Sequence, residues 1–483
     1  MIRRRGATLA CSVVGAAVVA LDGTLLTIAQ PTLQRDLHAD FAEVQWTSTG
    51  YLVAVAGLLV FAGRLGDAYG HRRLFALGTL GFAATSAAIA LAPGIGWVIA
   101  LRVLQGVFGA LLQPATLGML RAAFPPDRLA MPIALRMSAI GLAAALGPLV
   151  GGALVTAFGW RAVFAVTAIP ALAIGLLAAV TRPTGPPTSR EGGPAHAGDQ
   201  DSGSVTAAAG SRAALDLPGA VLLAVTLASL VHALVAVSES GWTTVTGLAL
   251  AGAVASGAAF ARQERRTARP LLPAALLRSR PVVAGLATLL ATSAVLSGAL
   301  FVATYFLQDV RGLDPLSTGL WVLPLAVLMV LGAPVSPLLQ RRFGARRTTV
   351  GGAALLAVGV LLLSRLDESA TAVPTGVCFA LLGAGFGTVM ATATAAVVHQ
   401  APVADAGVAG GLQQTAMNIG PALGVAAATL LMTLDPVPAF VPAMGTTLLV
   451  LAGLAALGAA AALGLPGRVS TSTSGSPSVP TSS

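Results

Sequence analysis

Lysine is absent from this 483-residue chain, and charge of either sign is scarce. The 28 basic residues are all arginine, and with 18 acidic residues they make up 10% of the sequence. A soluble domain carries about 25% charged residues, so this chain cannot cover a water-facing surface. Aromatic residues are only 5%, and the arginines do not line one face, so the formal charge of +10 does not point to nucleic acid. The two cysteines, Cys11 and Cys378, fall inside apolar runs and exclude a disulfide framework. Five scattered histidines offer no metal-ligand spacing. A dinucleotide fingerprint, a phosphate loop, a zincin motif and a nucleophile elbow are all missing. These absences leave no catalytic constellation to assemble, and no cofactor or metal is expected.

What is there is apolar: 56% hydrophobic residues and a mean hydropathy of +0.85. A bilayer core asks for about 20 apolar residues per helix. On that measure the sequence reads as an all-α integral membrane protein with fourteen spans: 8–31, 44–63, 74–92, 97–120, 129–156, 160–181, 217–237, 244–261, 282–307, 316–338, 348–365, 373–396, 406–433 and 441–464. The start, "MIRRRGATLACSVVGAAVVA", has the layout of a secretory signal. Its apolar run continues past Asp22 to Ala29, however, and reads as the first span. Taken alternately, the connections divide the arginines unequally. Only Arg35, Arg161, Arg311 and Arg365 fall on one side, Arg102 and Arg136 lie within spans, and every other arginine falls on the other side. Basic connections mark the cytoplasmic face, so both termini are expected there, in the plasma membrane. Residues 182–214, rich in Gly, Pro and Ser, read as a flexible linker, and 466–483 as a disordered tail.

The sequence also repeats itself. Leu33-Gln34 recurs as Leu307-Gln308, Asp40 as Asp314, Gly70 as Gly344, Arg72-Arg73 as Arg346-Arg347 and Gly78 as Gly352, all at one offset. Gly147-Pro148-x-x-Gly151 recurs as Gly420-Pro421-x-x-Gly424, one residue off that register. The shift lays spans 1–6 on spans 9–14 with the same orientation, a parallel repeat of the kind found in transporters. The expected organisation is a first six-helix bundle (1–181), the linker (182–214), two inserted helices with a basic loop (215–280), a second bundle (281–465) and the tail (466–483).

One acid stands apart. Within "GAAVVALDGTLLTIAQP", Asp22 lies about 21 Å from the cytoplasmic end of its helix at about 1.5 Å per residue. Arg102, about 8 Å from the outer end of the fourth span, arrives at about the same depth. A carboxylate near the bilayer centre costs at least about 2.5 kcal/mol on insertion scales and is functional by default. Burial favours its protonated form and a nearby arginine its ionised form, opposing effects that suit a site of proton exchange. The alternative is a buried acid that only fixes helix packing.

The loop "GRLGDAYGHRR", residues 63–73, joins the second and third spans. Its glycines Gly63, Gly66 and Gly70 permit tight turning, and Asp67 among Arg64, Arg72 and Arg73 is expected to form a charge network. This loop is similar to the signature loop of the major facilitator superfamily. "LDGTLLTIAQPTL" (21–33) and "VQWTSTGYLVAVA" (44–56) resemble the first two helices of that superfamily's fourteen-span drug–proton antiporters. "LRVLQGVFGALLQPA" (101–115) resembles their fourth-helix pattern and "GPLVGG" (147–152) the end of their fifth-helix motif. The chain departs from the pattern at Ala134, Ala143, His71 and Met417. The resemblance implies the major facilitator fold and proton-driven export of hydrophobic or cationic small molecules by alternating access. It implies proton coupling at Asp22 and Arg102, a gating loop at Gly63, Arg64, Gly66, Asp67, Gly70, Arg72 and Arg73, and a hinge at Gly147, Pro148, Gly151 and Gly152. Candidates for the substrate pathway are Gln45, Trp46, Gln105 and Arg136. The expected partners are a small-molecule substrate, protons and the lipid bilayer, with no nucleic acid, and the protein is expected to act as a monomer. An importer of the same fold, a channel and a structural membrane protein remain alternatives on the sequence alone.

Overall fold

Long runs of Ala, Leu, Val and Gly leave the backbone no water to bond in lipid, so every amide must be satisfied within its own segment. Helices follow. The computed structural model describes residues 2–39, 41–125, 128–180, 216–267, 270–313, 315–402, 405–434 and 440–467. The expected linker, 182–214, and the tail from 468 onward lie outside the described residues. The helices run in the order α1 (Ile2–Asp36), α2 (Phe41–Tyr69), α3 (His71–Ala90), α4 (Ile95–Ala123), α5 (Ala130–Phe158), α6 (Arg161–Val180), α7 (Leu217–Ser240) and α8 (Thr244–Arg266). A short α9 (Ala274–Arg278) precedes α10 (Arg280–Tyr305), which ends in a π-helical turn (Phe306–Val310). Then come α11 (Pro315–Phe343), α12 (Ala345–Leu363), α13 (Ala372–Gln400), α14 (Ala406–Leu434) and α15 (Phe440–Ala462). Among the described residues, 12 helices are long and apolar enough to cross a membrane, and no strand occurs. Two further apolar stretches, Ala130–Ala144 and Pro218–Leu234, are shorter on that measure.

The repeat read from sequence has a counterpart in packing. Helix α1 packs on α5 and α6, α2 on α4, and α3 on α4 and α6. In the same way α10 packs on α14 and α15, α11 on α13, and α12 on α13 and α15. The same small residues permit the same approaches. A Cβ added at Gly147 would collide with Thr24 of α1, and one at its equivalent, Gly420, would come to 2.6 Å from Ser293 of α10. Helices α7 and α8 pair with each other, and α7 lies against α2 and α14.

The apolar core is divided unequally along the long axis. One end of the molecule carries Arg64, Arg72, Arg73, Arg121, Arg265, Arg266, Arg341, Arg342, Arg346 and Arg347 at helix ends, and is the basic end below. Away from it each half keeps its own core, Leu25, Leu33, Val98 and Trp160 in the first and Val295, Phe306, Leu363 and Leu448 in the second. Toward the basic end one cluster spans both, joining Val60, Leu117, Ile133 and Met137 to Val389, Met390, Val397 and Val408. The halves are sealed together at the basic end.

Candidate functional site

Helices α2 and α4 meet closely because α4 presents glycine. A Cβ at Gly106 would stand 2.7 Å from the Tyr51 carbonyl oxygen, and one at Gly109 would stand 3.0 Å from the Tyr51 hydroxyl. This approach lays the Tyr51 ring against Arg102, whose guanidinium carbon lies 4.3 Å from the ring centroid. Arg102 donates through Nη1 to Asp22 Oδ2 of α1 at 2.6 Å and to Gln105 Oε1 at 2.5 Å, and through Nε to the Thr47 carbonyl at 3.0 Å. Gln105 Nε2 donates to Asp22 Oδ1 at 3.3 Å and to Ser86 Oγ of α3 at 2.7 Å. Asp22 and Arg102 are each 1% exposed. The pair expected from depth alone is thus formed, and four helices of the first half supply its shell. Tyr51, Ser86 and the Thr47 carbonyl escaped the sequence reading. Nothing in their local pattern separates them from ordinary residues of an apolar helix.

Such a site holds two charges out of water, where each offsets much of the cost of burying the other. Arg102 has alternative partners in Gln105, the Thr47 carbonyl and the Tyr51 face. A proton added to Asp22 would therefore weaken the tie between α1 and α4 without stranding the guanidinium.

At the basic end the loop residues act differently from the expected charge network. Asp67 reaches from α2 to the first turn of α14, where the Gly407 amide donates to Oδ1 at 2.7 Å and the Val408 amide to Oδ2 at 3.1 Å. A helix start presents unpaired amides and a partial positive charge, and here the acid that caps α14 comes from the other half. His71 Nε2 lies 3.2 Å from Asp67 Oδ1. Arg64 pairs across the seam with Asp405 at 2.9 Å rather than with Asp67. Arg72 donates to the Ala178 carbonyl near the end of α6 at 2.8 and 2.6 Å, and Arg73 is exposed. The correction has a simple cause. An orphaned helix terminus is a better partner for a lone carboxylate than are arginines that can reach water. The close approach lies at Gly63, where a Cβ would collide with the Gly407 carbonyl. Gly66 is crowded by His71, and Gly70 has open space around it but φ of 96°, a conformation that favours glycine.

The glycines of the expected hinge divide likewise. A Cβ at Gly147 would collide with Thr24 of α1, Gly151 packs on Leu25 and Ile28, and Gly152 faces open space. The side chains of Pro148 and Gln45 lie outside the described residues. Trp46 turns away from the site and stacks on His232 of α7, with ring centroids 5.5 Å apart. Arg136 stays inside the protein, 1% exposed, and donates through Nε to Thr116 Oγ1 of α4 at 3.0 Å. Asp405, which also escaped the sequence reading, lies in a connection with no motif around it.

Comparison with known proteins agrees with this architecture. The family model described as Major Facilitator Superfamily matches residues 13–425. The tetracenomycin C resistance and export protein of Streptomyces glaucescens is 40% identical over 431 residues, covering 88% of this chain and 75% of that one. The multidrug efflux pump LfrA of Mycolicibacterium smegmatis is 33% identical over 412 residues, 85% of this chain and 77% of that one. The puromycin resistance protein pur8 of Streptomyces alboniger is 33% identical over 419 residues, 85% and 78%. Among solved structures, that of the human organic anion transporter MFSD10 (TETRAN) superposes with a TM-score of 0.65. It covers 95% of this chain and 99% of that one at 16% identity, a likeness of fold alone.

Proposed function

The chain belongs to the Major Facilitator Superfamily, and on that premise we propose that it is a proton-coupled exporter of drug-like small molecules working by alternating access. It is a multi-pass membrane transporter and not an enzyme. Export of antibiotics and other drugs is supported by relatives whose names describe antibiotic and multidrug export or resistance. Proton coupling is supported above all by the buried Asp22–Arg102 pair. Protonation of Asp22 loosens α1 from α4. Helix α1 is packed on α5 through Thr24 and Gly147, and α5 reaches the second half through Ser138, whose hydroxyl donates to the Val330 carbonyl of α11 at 3.0 Å. A change at Asp22 therefore has a continuous path to the seam.

The remaining features of this reading follow the same physics. Helices α5 and α7 run unbroken for 29 and 24 residues, above the roughly 20 needed to cross, which favours fourteen spans. Two six-helix bundles, 1–181 and 281–465, rock about the site, with 215–280 inserted between them. The basic end faces the cytoplasm, both termini included, so the state described is closed inward. The protein acts as a monomer in the plasma membrane, powered by the proton gradient without a cofactor.

The test is Asp22→Asn in cells lacking other pumps, scored by resistance to tetracenomycin C, puromycin and methyl viologen with and without an uncoupler. The variant should reach the membrane folded and confer no uncoupler-sensitive resistance. Full resistance would refute the assignment of Asp22. Flux measured in inverted vesicles separates export from import.

A further inference from the structure

Among the described residues three charged residues are buried as a whole, Asp22, Arg102 and Arg136, besides the Asp67 carboxylate that caps α14. The first two neutralise each other, and Arg136 is left as a buried cation without a carboxylate. Its Nε is satisfied by Thr116, but its Nη1 has no partner. Buried polar atoms are satisfied in the great majority of cases, and an unmatched charge in a membrane interior is expensive and retained for function.

Its surroundings are equally unfinished. Arg136 stands six residues into α5 from Ala130, and Thr116 seven before the end of α4 at Ala123. Thr394 stands six before the end of α13 at Gln400, and Gln413 seven into α14 from Ala406. At about 1.5 Å per residue all four sit about 10 Å from the basic end, in one layer, on helices that touch across the seam. Thr394 Oγ1 and Gln413 Oε1 are buried there without partners as well. The apolar wall of the layer is the cluster that joins the halves. It includes Ile133, Met137 and Ile140 of α5, together with Met390 of α13 and Met417 of α14 about one helical turn further in. Methionine-rich walls adapt to varied flat molecules.

We infer that this layer is a substrate site whose preferred ligand is a hydrophobic anion, an aromatic body bearing a carboxylate or acidic phenol that Arg136 binds when the basic end opens. The inference rests on the export reading and sharpens it by substrate class. A guanidinium presents a planar fork matched to two oxygens, and its Nη1 is the donor left free here. From the second half, the Thr394 hydroxyl is free to donate to a further oxygen of the same molecule, and Gln413 Oε1 is free to accept from a hydroxyl that the molecule carries.

The experiment compares 2-anthracenecarboxylate with its uncharged methyl ester and with cationic ethidium. The full chain, purified in detergent, is titrated with each probe by fluorescence. The same protein is reconstituted and assayed for gradient-driven flux. The wild type should bind the carboxylate about tenfold or more tightly than the ester. Arg136→Gln should erase that preference while leaving ester binding unchanged, and Arg136→Lys, a point charge in place of a fork, should keep part of it. Should Arg136→Gln not elute as a monodisperse protein, the Arg136→Lys titration decides alone. Equal binding of carboxylate and ester by the wild type, or an undiminished preference in either variant, overturns the inference. Arg136-dependent binding without driven flux would instead count against export and leave the site standing. Driven flux of 2-anthracenecarboxylate indifferent to Arg136→Gln would do the reverse.

Discussion

Replacement of Asp67 by asparagine isolates what holds the basic end shut. Asp67 is 5% exposed and accepts two backbone amides from the start of α14 across the seam. Hydrogen bonds to a charged group contribute about 1.5–3 kcal/mol each, and the helix terminus adds electrostatic attraction. Asparagine keeps one neutral acceptor worth about 1 kcal/mol, so the closed state loses roughly 3 kcal/mol. The Arg64–Asp405 pair is partly exposed and contributes about 0–1 kcal/mol, too little to compensate. A loss of about 3 kcal/mol shifts the equilibrium about a hundredfold, which takes a protein closed about 99:1 to near equality. Spin labels at Arg73 and Arg347, exposed residues at the basic ends of α3 and α12, report the change by pulsed electron–electron distance measurement. The buried Cys11 and Cys378 would be replaced by serine first. The wild type should give one short distance, and Asp67→Asn a second, longer population near half, with slower efflux. An unchanged distribution together with unchanged efflux would refute the latch.

Two further outcomes follow from the packing. Arg102→Met leaves the Asp22 carboxylate buried without its counter-ion and should cost about 3–5 kcal/mol, whereas Asp22→Asn combined with Arg102→Met should recover most of that loss in a thermal melt. A double variant no more stable than the single one would show that the pair is not the source of the cost. Gly147→Val drives a side chain into Thr24 of α1 and should lower both melting temperature and transport. Gly152→Val enters open space and should stay within about 0.5 kcal/mol of the wild type. Similar losses at the two positions would mean that α1–α5 contact is not what Gly147 serves.

Much of the site was legible because scarcity makes charge conspicuous. Asp22 in an apolar helix and Arg102 at matching depth are visible in a linear reading, since hydrocarbon makes every ionisable residue stand out. Gln105 was named only as a pathway residue, because an uncharged amide on an apolar helix carries no comparable signal. Its bonds to Asp22, Arg102 and Ser86 arise from where α1 and α3 cross α4. The loop of residues 63–73 was recognised while its wiring was not. Composition marks Asp67 and its arginines as neighbours, but the bare amides of α14 lie 340 and 341 residues further along the chain.

The sequence by itself determined that this chain lives in a bilayer, that its arginines gather in alternate connections, and that its halves repeat. These properties are sums over many residues, and hydropathy and local spacing record them directly. Tertiary structure decided which partners meet. Asp67 caps a foreign helix, Trp46 turns to His232, and Arg136 remains within the protein with its Nη1 unpartnered. Those outcomes depend on how closely helices approach, a matter settled by glycines whose contacts lie in distant segments and so by packing that no single stretch contains.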